Sequence, residues 1–395
     1  MKQMQPEGGY EVTGQDGSKM KRPTSKAEAD GGRPDFAPSG WSRRSFLSVT
    51  AAAALPLTLP LKATAVPTRP QPGAPDESEF SAPPSGTMPM RELGQTGVKV
   101  SIIGLGGFHI GLPAKEQTST RIIHTALDHG VNFLDNCWDY NDGESHRRMG
   151  RALRDGYRPK AFLMTKIDGR TKKAAEQQID QSLRSLATDV IDLVQVHEVI
   201  RMSDPARVFA ADGAIHALIA AKKAGKIRFI GFTGHKSPDI HLEMLRVAAA
   251  NEFKFDTVQM PLNVMDAHHD GFQRKVIPVL VERGIGILGM KPLGSGLFFG
   301  SHALASRRVT PTDCLHYAMT LPTSVVITGC DTMGILYQAL QAAYSFHPRD
   351  REWTKALLAE TSADAAQGWE RYKTTEVFDG TAKHPWWLET ASLQR

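Results

Sequence analysis

The sequence predicts an α/β fold, a (β/α)8 TIM barrel with an N-terminal β-hairpin and a C-terminal extension, on three observations. Short apolar runs alternate eight times with stretches of helical period between 101 and 344, the repeat of a parallel barrel. Polar or glycine-rich residues follow seven successive runs from the second onward, and barrels collect their chemistry at the carboxyl ends of strands. No G-x-G-x-x-G turn follows the first run, whereas a doubly wound nucleotide-binding sheet would carry one there.

Residues 1–40 are rich in Gly, Lys, Asp and Ser, lack an apolar period, and read as disordered. Ser42-Arg43-Arg44-Ser45-Phe46-Leu47 then leads into an apolar run over 49–61 and an Ala63-Thr64-Ala65 site, the pattern of a twin-arginine signal peptide cleaved after Ala65. A spanning helix needs about 20 apolar residues, and this shorter run is broken by Pro56 and Pro60, so the expectation is export to the periplasm by the twin-arginine machinery without a permanent anchor. Residues 1–65 thus form the disordered start and signal, and 66–89, with seven prolines, an extended linker. The barrel is expected over 90–345 and the extension over 346–395.

Within the barrel, 91–93 and 98–100 flank Gly94-Gln95-Thr96-Gly97 as a hairpin. Strands are expected at 101–105, 131–135, 160–165, 190–196, 226–231, 256–260, 284–289 and 324–328. Helices are expected at 118–129, 145–154, 172–186, 214–224, 240–250, 272–283, 311–320 and 333–344, with one more at 353–372 in the extension. The formal net charge is +5, of which 1–65 contribute nine Lys/Arg against six Asp/Glu, leaving too weak and dispersed a charge elsewhere for nucleic acid. The three cysteines, Cys137, Cys314 and Cys330, show neither metal spacing nor a disulfide framework and read as small buried hydrophobes.

Four titratable residues stand at the ends of three consecutive strands: Asp135 and Tyr140 after the second, Lys166 after the third, His197 after the fourth. A phenol of ordinary pKa about 10 is a reluctant acid unless an ammonium stabilises its anion, and Lys166 is placed to do so with Asp135 as its counter-charge. His197 is placed to donate a hydrogen bond to the same reacting oxygen. In this order and setting the sequence resembles the aldo-keto reductase family, whose tetrad is Asp, Tyr, Lys and His. Asp135, Tyr140 and Glu144 match that family's motif, while Asn136, Cys137 and Asn141 replace its usual Thr, Ala and Gly.

The resemblance implies an NAD(P)(H)-dependent oxidoreductase that interconverts a carbonyl (aldehyde, ketone or sugar) and its alcohol by hydride transfer, with Tyr140 as acid/base. It further implies NADPH or NADH as cofactor. Gln259 would hold the carboxamide with Thr233 beside it, and Met290 stands where the family often stacks an aromatic ring. Lys291, Pro292, Leu293, Gly294 and Ser295 would cover the pyrophosphate, and Gly329 and Asp331 would lie toward the adenosine. An acid at 331 favours a bare ribose over a 2′-phosphate, with Lys291 and Arg307 as compensating charges. Tails in the family fold over the active-site mouth, and packing on the barrel's outside is the alternative for 346–395. No cysteine cluster accompanies the tail, so no iron-sulfur cluster is expected, nor any metal, because His109, His124, His197 and His235 lack ligand spacing beside carboxylates. A nucleotide-holding barrel that regulates a partner is the rival to an enzyme, and the complete tetrad argues against it.

Overall fold

Eight parallel strands close on themselves in the computed structural model, which describes residues 82–269 and 271–389. A two-stranded antiparallel hairpin, β1 (Met90–Glu92) and β2 (Lys99–Ser101), precedes them. The barrel comprises β3 (Ile103–Gly106), β4 (Phe133–Asp135), β5 (Phe162–Ile167), β6 (Ile191–Val196), β7 (Ile227–Thr233), β8 (Thr257–Pro261), β9 (Gly286–Met290) and β10 (Val325–Gly329). β10 pairs in parallel with both β9 and β3, which closes the ring and leaves no edge. The expected signal at 1–65 and the linker up to 81 lie outside the described residues; 82–89 runs without regular structure. Among the described residues, no helix is long and apolar enough to cross a membrane.

The strands are apolar on both faces because one face fills the barrel and the other meets the helices. Inside, Phe133, Phe162, Met164, Leu193, Leu288, Val325 and Ile327 pack together with Leu93 and Val100 of the hairpin. The hairpin therefore plugs the amino-terminal end of the barrel, and Gln95 N donates to Gly284 O at 3.1 Å just before β9. Outside, helices such as Glu116–Asp128, Lys172–Leu186, Pro238–Ala250 and Met333–Tyr344 turn a buried stripe onto the sheet. Side-chain caps start several of them: Thr171 accepts from Ala174 N, Thr332 from Ile335 N, and Thr310 forms a capping box with Asp313.

Two differences from expectation have local causes. The sixth barrel helix is divided into Phe272–Lys275 and Ile277–Glu282 around Pro278, which cannot donate the hydrogen bond a continuous helix would need. The tail helix is Arg351–Ala365, starting where Asp350 caps Trp353 N at 2.8 Å and giving way before Gly368, whose φ of 74° lies in the left-handed region.

The loops after β5 and β6 are tied together by Arg170, one of the largest fully buried side chains. Its guanidinium donates to Asp204 Oδ1 at 3.0 Å, Asp168 O at 2.7 Å, and the carbonyls of His197 and Glu198 at 2.8 Å each. Removing one member of a buried ion pair leaves the other charged and unpaired. Arg170→Met is expected to lower unfolding stability by about 3 kcal/mol or more in a urea titration. A loss under about 1 kcal/mol would mean that the loops are held by other contacts.

Candidate active site

The carboxyl ends of the strands form one face, and three of the expected residues meet there through neighbouring strands. Asp135 ends β4, and Lys166 lies one residue before the end of β5. The Lys166 ammonium is in contact with Asp135 Oδ1 and donates to Asn136 O at 2.8 Å. Gln259, the third residue of β8, donates from Nε2 to Asp135 Oδ2 at 2.8 Å. Both carboxylate oxygens are therefore occupied, and the buried charges compensate one another. Gly107 lies against this corner, where a Cβ would overlap the carbonyl oxygen of Asp135.

Tyr140 sits in the loop after β4, its ring edge-on to Phe108 at 5.6 Å and to His197 at 5.9 Å between centroids, with Lys166 Nζ 4.9 Å from its own centroid. Asn141, Asp142 and Gly143 follow with φ of 54°, 54° and 76°, a left-handed run that swings the chain into helix Glu144–Ala152. Asn tolerates that conformation better than most side chains, which explains how it stands where the family usually has Gly. The expected lowering of the phenol is not what the environment produces. Burial raises the Tyr140 pKa well above its ordinary value, and Asp135, Cys137, Asp139 and Glu198 push it the same way. The Lys166 charge is taken up by Asp135, so the resting phenol keeps its proton.

His197, the residue after β6, places Nδ1 3.0 Å from Asp168 Oδ1 and 3.3 Å from Cys137 Sγ. Burial opposes its imidazolium, but the Asp168 carboxylate and its hydrogen bond, helped by Glu198 and Asp139, outweigh burial and raise its pKa. Asp168 is lowered: burial works against the anion, and His197, Trp138 Nε1 and Arg170 favour it. Asp139 goes the other way, pushed up to about 7 by burial and by Asp168, and its Oδ1 is buried without a hydrogen-bond partner among the described residues. Cys137 is fully buried, as expected, and lies against His197, whose carboxylate neighbours are close in space although the sequence shows no ligand spacing. One ligand atom from each of Cys137, Asp139, Asp168 and His197 lies within 4.8 Å of the others. Linear spacing hides the group because its members come from three strand ends.

The residues expected to hold a dinucleotide line the same face. Gln259 Oε1 is buried and, among the described residues, has no hydrogen-bond partner. Thr233 ends β7, with Oγ1 3.9 Å from Met290 Sδ. Lys291 has φ of 56°, and beyond Pro292 and Leu293 the chain stays left-handed through Gly294 (59°), Ser295 (59°) and Gly296 (83°). Such a bend turns successive backbone amides toward one side, a shape suited to an anion. Lys291 Nζ donates to Ser295 Oγ at 3.3 Å; burial brings its pKa down to about 8, Glu198 opposing and Lys166 adding to the fall. Gly329 ends β10 beneath the His109 ring, which a Cβ there would strike. The half-buried Asp331 lies close enough to His109 to favour its charged form, though burial, the larger effect, and Lys291 lower that histidine. The orphaned amide oxygen, the left-handed loop and the nearby lysine fit a nicotinamide dinucleotide.

The tail does both of the things weighed for it. Helix Arg351–Ala365 packs at the side with Phe298, Ala303, Leu304, Val309 and Tyr317, and Asp364 accepts from His302 N and Ala303 N at 2.9 and 2.8 Å. The later tail then crosses the mouth, meeting the loops after β9, β8, β7, β6 and β5. The Tyr372 and Phe378 rings each lie 5.4 Å from Lys291 Nζ, and Asn263 Nδ2 donates to Tyr372 Oη at 2.8 Å. Asp379 meets His235 Nε2 at 2.9 Å and Lys236 Nζ at 2.8 Å. Glu198 accepts from Gly380 N at 2.8 Å and Thr381 N at 2.7 Å, and Arg170 N donates to Leu388 O at 2.7 Å. Asp168, Glu198 and Asp379 were missed by sequence reasoning, although Asp168 and Glu198 each lie within two residues of a tetrad member.

A profile of the Aldo/keto reductase family matches residues 102–327. Aldo-keto reductase AMT2 of Alternaria alternata is 28% identical over 247 residues, which cover 52% of this chain and 65% of the relative. L-galactose dehydrogenase of Arabidopsis thaliana is 28% identical over 220 residues, covering 53% of this chain and 66% of the relative. The chain thus spans just under two thirds of the length of these curated relatives. Among solved structures, aldo-keto reductase AKR11C1 from Bacillus halodurans, in its holo form, superposes with a TM-score of 0.58 over 69% of this chain and 96% of its own, a likeness of fold at 24% identity. With the matched segment covering more than half of the sequence and coinciding with the closed barrel, the chain belongs to the aldo/keto reductase family.

Proposed function

We propose that this chain is an NAD(P)(H)-dependent oxidoreductase interconverting a small aldehyde, ketone or sugar and its alcohol, with Tyr140 as the acid/base. The observation that carries this reading is the meeting of Asp135, Lys166, Tyr140 and His197 around one corner, beside the unpartnered amide oxygen of Gln259. A reduced nicotinamide, when bound, supplies the hydride. Gln259 would accept from its carboxamide, with Thr233 alongside, while Lys291, Pro292, Leu293, Gly294 and Ser295 would enclose the pyrophosphate. Gly329 and Asp331 would border the adenosine.

The protein's own part is to meet the charge that develops on the carbonyl oxygen. Tyr140 gives its proton to that oxygen in reduction and takes it back in oxidation. The environment that raises its pKa keeps the proton available in the resting state. Lys166, already bonded to Asp135, steadies the phenolate left behind through its place near the ring. Gln259 bonds to the same carboxylate, so hydride delivery and proton delivery share one rigid anchor. A relative that is an L-galactose dehydrogenase supports keeping sugars among the substrates.

Protein purified without added nucleotide is expected to release one dinucleotide on denaturation. The emptied protein should rebind it by fluorescence and oxidise its reduced form when given aldehydes. Tyr140→Phe should lower that turnover by about 10²-fold or more while leaving nucleotide binding intact. Neither NADPH nor NADH binding, or full turnover in Tyr140→Phe, would overturn the assignment.

We further propose that Asp331 biases the site toward NADH by opposing a 2′-phosphate. Asp331→Ala should then tighten NADPH binding relative to NADH, and an unchanged ratio would remove Asp331 as the selector. The Arg43-Arg44 pair before an interrupted apolar run supports export by the twin-arginine route, by which a folded protein leaves with its nucleotide already bound. Fractionation of a bacterium with that pathway is expected to find the protein in the periplasm, and in the cytoplasm once Arg43→Lys and Arg44→Lys are combined. Equal export of both forms would overturn this.

A further inference from the structure

We infer that Asp168 is a positioning residue for the proposed reaction: it accepts the Nδ1 proton of His197, leaving Nε2 as the ring nitrogen that faces the reacting oxygen. The inference rests on the oxidoreductase reading and adds to it a requirement on the charge of His197. A neutral imidazole carries one proton. With that proton held on Nδ1 by Asp168 at 3.0 Å, a neutral His197 presents a bare lone pair at Nε2 and cannot donate to a carbonyl. Donation from Nε2 therefore needs the imidazolium. In this protein His197 has to be charged to assist reduction, so Asp168 both orients the ring and supplies the counter-charge.

The geometry around Asp168 holds it to that task. Its Oδ2 is bonded by Trp138 Nε1, which stops the carboxylate from rotating away. Its backbone amide donates to Gln178 Oε1 at 2.8 Å, and its carbonyl accepts from Arg170 at 2.7 Å. The side chain of Asp168 is 1% exposed, that of His197 11%, and among the described residues no hydrogen-bond partner occupies His197 Nε2.

The charges facing the ring come from each element packed on it. The loop after β4 brings Cys137, Asp139 and Tyr140; β5 and its loop bring Lys166, Asp168 and Arg170; Glu198 follows in the chain. The two cations are committed elsewhere, Lys166 to Asp135 and Arg170 to Asp204. The ring therefore faces a net negative surface, which favours the imidazolium.

The test combines a pH–rate profile with a measurement that needs no turnover. In the full protein, kcat/KM for aldehyde reduction should fall as pH rises through the ionisation of His197, which lies above its ordinary value. Nitrogen-15 resonances of labelled histidine should report the proton on Nδ1 in the neutral form. Asp168→Asn keeps the shape but removes the counter-charge, so the falling limb and the His197 titration should both move down by about one pH unit or more, a loss of about tenfold at a pH between the two limbs. His197→Gln, a donor that does not titrate, should abolish the limb, and adding Asp168→Asn to it should cost no further tenfold.

Turnover with an unmoved limb in Asp168→Asn would overturn the inference while leaving the oxidoreductase reading intact. Absence of turnover in the parent protein would instead sink that reading, with the histidine titration still deciding the Asp168 contact. Loss of activity on chelation, restored by zinc, would also overturn it, since Cys137, Asp139, Asp168 and Nδ1 of His197 would then hold a metal in place of the proton.

Discussion

A buried lysine can stay charged only where its counter-ion is fixed beside it, and the contact of Lys166 with Asp135 is the interaction on which the site depends. The two residues come from adjacent strands whose parallel pairing sets Phe133 opposite Phe162 and Leu134 opposite Leu163. That pairing is held by the closed ring of strands and, below, by the hairpin that fills the barrel floor. Asp135 then recruits Gln259 from the far side of the barrel. One carboxylate thus connects proton chemistry and the proposed nicotinamide contact, with both of its oxygens already satisfied.

The second half of the site is governed by an excess of negative charge. Asp139, Asp168 and Glu198 gather near one imidazole, while the nearest cations are paired with other acids. The effect is opposite on its two neighbours: the phenol of Tyr140 is discouraged from ionising and His197 is encouraged to charge. Both shifts favour the protonated form of the group. Arg170 maintains the arrangement through backbone carbonyls, fixing where His197 and Glu198 stand without cancelling the field they feel.

The tail adds a constraint from outside the barrel. Glu198, next to His197, accepts two backbone amides of the tail, and Lys291, next to the proposed pyrophosphate loop, lies against two tail rings. The cover over the mouth is therefore fastened to residues adjacent to the chemistry. The tail is in direct contact with Lys291 and reaches His197 only through its neighbour Glu198.

Chain order, apolar period and turn residues determined the barrel, its eight strand-helix units, the hairpin and the four tetrad positions. They are legible because strand and helix periods are local properties and a parallel barrel admits few orders. Asn141 was readable as a replacement, and its φ of 54° gave the reason for it. What stayed hidden were the contacts made between residues far apart in sequence: Asp168 with His197, Cys137 with His197, Gln259 with Asp135, Asp379 with His235. The direction of the Tyr140 shift was hidden for the same reason, since Lys166 is one neighbour among several and only the folded arrangement shows that its charge is taken by Asp135. Sequence by itself determined which groups stand at the mouth of the barrel. Tertiary structure alone decided which of them touch and which are neutralised, because burial and pairing depend on distances that close only when the ring of strands does.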